Sequence, residues 1–289
     1  METGELLKKV RRIEIKTRGL SQNIFAGQYH SAFKGRGMAF SEVREYMFGD
    51  DIRDIDWNVT ARFNRPYVKV FEEERELTLM LLIDVSGSLD FGSRNQKKKD
   101  MVTEIAATLA FSAMNNNDKI GVIFFSDRIE KFIPPKKGRK HVLFIIRELL
   151  DFKPESYKTS IATGLQYLTQ VMKRRSTVFV FSDFFDPNPF LDPLMIAGKK
   201  HDVTAIQVYD RLFSNLPDVG LLRIQDAETG LQQWLDTSSK AVREGQKKWW
   251  KENQAKLKNT FHRCNVDVAS IRTDEDYVRS LMMLFERRI

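Results

Sequence analysis

The chain has 289 residues, a formal charge of +8, 42% hydrophobic and 30% charged residues, and one cysteine, Cys264. This composition describes a globular chain with enough length to bury a sizeable core, and it excludes an internal disulfide scaffold. No stretch approaches ~20 consecutive apolar residues, so no membrane span is expected.

The opening "METGELLKKVRRIEIKTRGL" lacks the apolar core of a secretory signal. With the single cysteine, this makes the cytoplasm the expected compartment. Residues 4–18 read as a basic amphipathic helix, with Leu6, Leu7, Val10 and Ile13 toward one side. Residues 19–66 hold several glycines, many arginines and scattered aromatics, and are expected to form an irregular, loop-rich layer. "GDDIRDIDWNVTARFNRP" resembles a calcium loop only superficially. Counted from Asp54, its sixth position is Val59 rather than glycine and its twelfth is Arg65 rather than glutamate. Its carboxylates are expected to form turns and pair with arginines, with Trp57 as an anchor. "RPYVKVFEEERE" reads as a strand leading to an acidic turn.

From residue 77 onward strands and helices alternate. "LTLMLLID" is apolar without alternation, the pattern of a strand buried on both faces. A helix over 96–115 follows. "KIGVIFFS" and "RIEKFIPP" are strands, the second closed by Pro134 and Pro135. Helices are expected over 138–151 and 160–174, then the buried strand "TVFVFSD", a short helix in "DPLMIAGKK" and the strand "DVTAIQVYD". "LLRIQDAETGLQQWLDT" predicts a hairpin turning at Glu228, Thr229 and Gly230. A long basic helix over 239–263, the strand "VDVASIRT" and a helix over 274–288 complete the chain. Such alternation implies an α/β fold: a doubly wound, mostly parallel sheet flanked by helices. The expected division is an N-terminal layer over residues 1–76 and an α/β domain over 77–289.

Three places put oxygen donors at strand ends or a helix start. They are Asp84, Ser86 and Ser88 in "DVSGS", Thr159 in "KTSIATGL", and Asp183 in "VFVFSDFFD". Two are carboxylates and three are hydroxyls, a set suited to a hard divalent cation. Magnesium is the first expectation, with manganese or calcium as alternatives. A carboxylate at the end of a buried strand needs such compensation, because an unpaired buried charge costs several kcal/mol. The same turn could instead cap a helix and satisfy backbone amides without metal.

These residues also carry a resemblance. "DVSGS", "TSIATGL" and "FSD" resemble the three parts of a metal-ion-dependent adhesion site in a von Willebrand factor A-like domain. "YMFGDDIRDIDWNVTAR" and the ending "TDEDYVRSLMMLFERR" are similar to the MoxR-associated bacterial family known as domain of unknown function fifty-eight. The resemblance implies that Ser86, Ser88 and Thr159 contact the ion, with Asp84 and Asp183 acting largely through water. It also implies a genomic neighbour, a MoxR-type AAA+ ATPase. Phe184 follows Asp183 where A domains commonly carry glycine, so a narrower access to the ion is expected.

None of the four histidines has a zinc spacing, and no HExxH, GxSxG or P-loop motif is present. An enzyme is therefore not expected. The primary expectation is a metal-dependent protein-interaction module that captures an acidic side chain from a partner. A magnesium-dependent hydrolase or phosphatase at the same pocket is the alternative, and nucleic-acid binding through the basic surface is a third. The +8 charge is spread along the chain, the pattern of a solvated face, so nucleic acid is not the expected partner. Trp249 and Trp250 sit among lysines in the long helix, where one tryptophan is expected to face the core.

Overall fold

The computed structural model describes residues 10–14, 17, 39–72, 77–93 and 96–288. By contacts the chain divides into a unit of residues 34–77 and a larger unit formed by the rest. The described helical turns within 10–17 therefore group with the larger unit rather than with 34–77. Arg139 of that unit donates to Glu14. The remainder of the expected N-terminal helix, and residues 19–38, lie outside the described residues.

The small unit is more regular than its glycine and arginine content suggests. Strand β1 (Ala39–Glu45) pairs antiparallel with β2 (Tyr67–Glu72), and helix α1 (Trp57–Phe63) lies between them in sequence. The acids serve the backbone here. Asp56 caps α1 by accepting from the amides of Asn58 (2.9 Å) and Val59 (3.2 Å). Asp50 forms a two-pronged pair with Arg44 (2.7 and 2.8 Å). Trp57 is not the expected anchor, since it is 70% exposed.

The larger unit is built on a six-stranded sheet. Its strands are β3 (Thr78–Asp84), β4 (Lys119–Phe125), β5 (Ile129–Lys136), β6 (Thr177–Ser182), β7 (Asp202–Tyr209) and, after the separate hairpin β8 (Leu221–Gln225) and β9 (Gln232–Asp236), β10 (Asp267–Arg272). Their spatial order is β10-β7-β6-β3-β4-β5, parallel throughout except for β5, which runs antiparallel along the edge. Counted from β3 within the sheet, this is the doubly wound order 3-2-1-4-5-6. The edge position explains why β5 accommodates two prolines, which cannot donate to a ladder. β3 lies centrally, between β4 and β6, and Leu79 through Leu82 are fully buried. That placement is why its apolar run has no alternation.

Helices cover the sheet: α2 (Lys98–Asn115), α3 (Arg139–Asp151), α4 (Ile161–Val171), α5 (Leu191–Lys200), the short α6 (Arg211–Ser214), α7 (Lys240–Arg263) and α8 (Tyr277–Glu286). α2 is buried along nearly its whole length. It tolerates this because Thr103, Thr108 and Ser112 donate their hydroxyls to carbonyls four residues back, at 2.7–3.0 Å. α4 ends at Val171, earlier than expected. In α7, Trp250 packs on Tyr209 (4.8 Å), while Trp249 stacks on Phe185 (5.4 Å) and stays 42% exposed. No helix among the described residues is long and apolar enough to cross a membrane.

Candidate functional site

In the sheet order, β3 is the strand at which the winding reverses. β4 and β5 extend to one side, and β6, β7 and β10 to the other. Ligands of open α/β sheets bind at the carboxyl ends of strands near such a reversal. Asp84 is the last residue of β3, and beside it β6 ends at Ser182, with Asp183 directly after.

Asp84 is completely buried. Its Oδ1 accepts from the amide of Ser86 (2.9 Å), and its Oδ2 accepts from the Ser182 hydroxyl (2.6 Å). The Ser86 and Ser88 hydroxyl oxygens stand 3.3 Å apart. Among the described residues no cation pairs with Asp84. Burial, followed by the charge of Asp183, pushes its pKa up to about 7, against the opposing bonds from Ser182 and Ser86.

Thr159 reaches the same place through the backbone. The Gly87 amide donates to the Tyr157 carbonyl (2.9 Å), and the Ser160 amide donates to the Ser126 carbonyl (3.1 Å). Glu130 holds the loop from behind, accepting from the amides of Glu155 (3.0 Å) and Ser156 (3.1 Å). Asp186, three residues beyond Asp183, accepts from the Ile161 amide at the start of α4 (2.7 Å). The loops after β3 and β6 and the one before α4 thus brace one another. All five expected residues belong to this junction: Asp84, Ser86, Ser88, Thr159 and Asp183.

Two side chains absent from the sequence expectation also reach the site. Lys98, at the start of α2, is fully buried and donates its Nζ to Asp183 Oδ2 (2.8 Å). Its ammonium also lies over the Phe213 ring, 4.5 Å from the centroid. Glu228, at the tip of the β8–β9 hairpin, accepts the Thr159 hydroxyl at 2.6 Å. Burial raises the Glu228 pKa against the opposing Thr159 bond, with Asp226, Asp183 and Asp186 adding to the rise. The former lies in a triplet of lysines at 97–99, beginning nine residues beyond Ser88. Nothing in the local pattern distinguished Glu228 from any turn residue.

Phe184 does not narrow the site as expected. It takes the left-handed backbone conformation (φ +60°) that glycine favours. Its amide donates to the Ser182 hydroxyl (3.0 Å), and its ring packs in the core on Phe261 (5.1 Å) and Phe190 (6.2 Å).

The junction therefore gathers the carboxylates of Asp84, Asp183 and Glu228, with that of Asp186 close by, and among the described residues the Lys98 ammonium is the cation that bonds to them. A divalent cation matches that deficit in charge. Among the described residues no group of three or more histidine, cysteine, aspartate or glutamate side chains is arranged as a ligand set. An ion here would lean on hydroxyls and water, as the donor set of Ser86, Ser88 and Thr159 permits.

The model of the family described as Protein of unknown function DUF58 matches residues 42–256. The chain belongs to that family. This DUF58 chain is 28% identical over 290 residues to the uncharacterized protein Rv1480 of Mycobacterium tuberculosis, covering 100% of this chain and 91% of that one. Among solved structures, the DUF58 chain is similar to conserved hypothetical protein BatB from Bacteroides thetaiotaomicron, with a TM-score of 0.47 and 13% identity over 73% of this chain and 98% of that one. It is also similar to the SpRpn10 VWA domain, with a TM-score of 0.41 and 10% identity over 72% of this chain and 94% of that one. These likenesses bear on the fold alone.

Proposed function

We propose that this protein is a non-enzymatic interaction module whose junction at the end of β3 binds a divalent cation, magnesium first, and through it an acidic side chain of a partner protein. Ser86, Ser88 and Thr159 would hold the ion, with Asp84 and Asp183 acting through coordinated water. The bound ion would supply the positive charge that a partner carboxylate recognises. The supporting observation is Asp84: a carboxylate with no exposure, no cationic partner among the described residues, and two paired hydroxyls directly beyond it. Its fit is electrostatic, since among the described residues Lys98 is the one cation bonded to the carboxylates of the junction. A MoxR-type AAA+ ATPase is the partner class that the family resemblance favours, with the pair acting in assembly or maturation of a complex.

The test is calorimetric titration of Mg2+ and Mn2+ into the full chain and into Ser86→Ala/Ser88→Ala. The wild type is expected to bind one ion, and the double variant to bind at least tenfold more weakly, because two direct donors are gone. Equal affinities would remove the proposal. Turnover of a phosphate ester that stops in Asp84→Asn would instead support the hydrolase reading.

A further inference from the structure

We propose that Glu228 is a resident acid of this site: the β8–β9 hairpin holds its carboxylate where a partner's acidic side chain would dock, so the tip must withdraw before a partner binds. This rests on the metal-bridged reading given above and specifies its regulation.

The contact is close and is made by both side chain and backbone. The hydroxyl of Thr159, one of the three proposed hydroxyl ligands, donates a hydrogen bond to Glu228 Oε1 at 2.6 Å. The tip also lies on the first motif. A Cβ added at Gly87, between Ser86 and Ser88, would stand 2.4 Å from the Ala227 carbonyl oxygen. Only glycine admits that approach. The hairpin tip thus touches both the Ser86–Ser88 turn and the Thr159 loop.

The tip is shaped to deliver that carboxylate. Asp226 Oδ1 accepts from the amides of Glu228 (2.9 Å) and Thr229 (2.7 Å). The Gly230 amide closes the turn onto the Asp226 carbonyl (2.9 Å), with Gly230 at φ +71°. Within Asp226–Gly230 only Glu228 is partly buried; its four neighbours are exposed. Electrostatics otherwise oppose the placement, because Asp183 and Asp186 both act on Glu228 as like charges. A bound divalent cation would supply positive charge that offsets this repulsion and would favour the tip's position against the site.

The rest of the hairpin is suited to leaving. Leu221, Leu231 and Trp234 are 61%, 72% and 65% exposed. A two-stranded hairpin contributes little independent stability. Withdrawal of the tip would therefore disturb little beyond its own contacts, and a partner supplying a competing carboxylate need displace only one acid.

The experiment uses Mn2+ alone as the probe, on the full chain, on Glu228→Ala and on Ser86→Ala. Free Mn2+ is read by electron paramagnetic resonance. Water-proton relaxivity reports how many exchangeable waters each bound ion carries, and hydrogen exchange reports protection at residues 226–230. In the wild type, Mn2+ is expected to slow exchange at the tip. In Glu228→Ala, affinity is expected to fall roughly tenfold, and relaxivity per bound ion to rise as water fills the vacated place. Added acetate is expected to lower that relaxivity in Glu228→Ala and to leave the wild type unchanged. If Ser86→Ala weakens Mn2+ binding but Glu228→Ala changes neither affinity, relaxivity nor acetate response, the resident acid is overturned and the metal site stands. If wild-type protein binds no Mn2+, the metal site falls, and this inference with it.

Discussion

At the scale of single residues, Lys98 is the strongest departure from a simple hydroxyl-and-carboxylate site. Its ammonium and the Asp183 carboxylate are both essentially without exposure and bond at 2.8 Å. Removing one member of such a pair strands the other as a bare buried charge, which typically costs about 3–5 kcal/mol. Lys98→Met, similar in length but neutral, is therefore expected to lower unfolding stability by about that amount in denaturant titration. If the junction binds a cation, Mg2+ should restore more stability to Lys98→Met than to the wild type, because the ion then faces Asp183 without a competing ammonium. A loss that is identical with and without Mg2+ would speak against a cation at this junction. Phe184 makes a related point. Its left-handed backbone carries a cost of about 1–2 kcal/mol, offset by a buried ring packed on Phe190 and Phe261. The position keeps the backbone that glycine would favour and uses the side chain for the core.

At the scale of elements, the site depends on how one hairpin meets two loops. Gly87 is the contact point, since any Cβ there would overlap the backbone of Ala227. Gly87→Ala is expected to lift the tip. Hydrogen exchange at residues 226–230 should accelerate, while stability of the whole chain falls by no more than about 1–3 kcal/mol, the range for local overpacking. Unchanged exchange at the tip in a folded Gly87→Ala protein would show that the two backbones do not press on one another. The loop before α4 is differently secured. Glu130 bonds the amides of Glu155 and Ser156, and Asp186 bonds the amide of Ile161. Thr159 is thus presented by a braced loop, whereas Glu228 arrives on an exposed arm.

At the scale of the whole molecule, acid sensitivity has an identifiable contributor. His201, between α5 and β7, is 1% exposed, and neither ring nitrogen has a hydrogen-bond partner among the described residues. Burial, with Lys200 and Arg175 adding, pushes its pKa down from 6.5 to about 4. The folded protein therefore keeps His201 neutral at a pH where the unfolded chain protonates it. The associated stability is fully present above about 6.5 and is lost as pH falls toward 4, amounting to about 1–3 kcal/mol. Asp84, raised to about 7, acts in the opposite sense as pH rises. The difference between wild type and His201→Gln isolates the histidine. Denaturant unfolding at several pH values from 7.5 to 4 should show a steeper decline in the wild type, and parallel curves would refute the assignment.

What the sequence determined by itself is the order and type of the elements from β3 onward, the short α6 apart, and the places where oxygen donors sit. Burial leaves a local imprint. The unbroken apolar run before Asp84 belongs to a central strand, the prolines of β5 belong to an edge, and the 226–230 turn belongs to a hairpin. In the small unit the local pattern marked the strand that became β2 and the pairing of acids with arginines, as Asp50 pairs with Arg44, but it did not mark the short β1 and α1, and Trp57 proved exposed rather than anchoring. Only the tertiary structure decided which side chains meet. Lys98 and Asp183 are 85 residues apart in the chain, and Thr159 and Glu228 are 69 apart. Their meeting follows from how α2 and the hairpin pack at the ends of β3 and β6. Periodicity encodes which face of an element is buried, but not which distant side chain will stand opposite it.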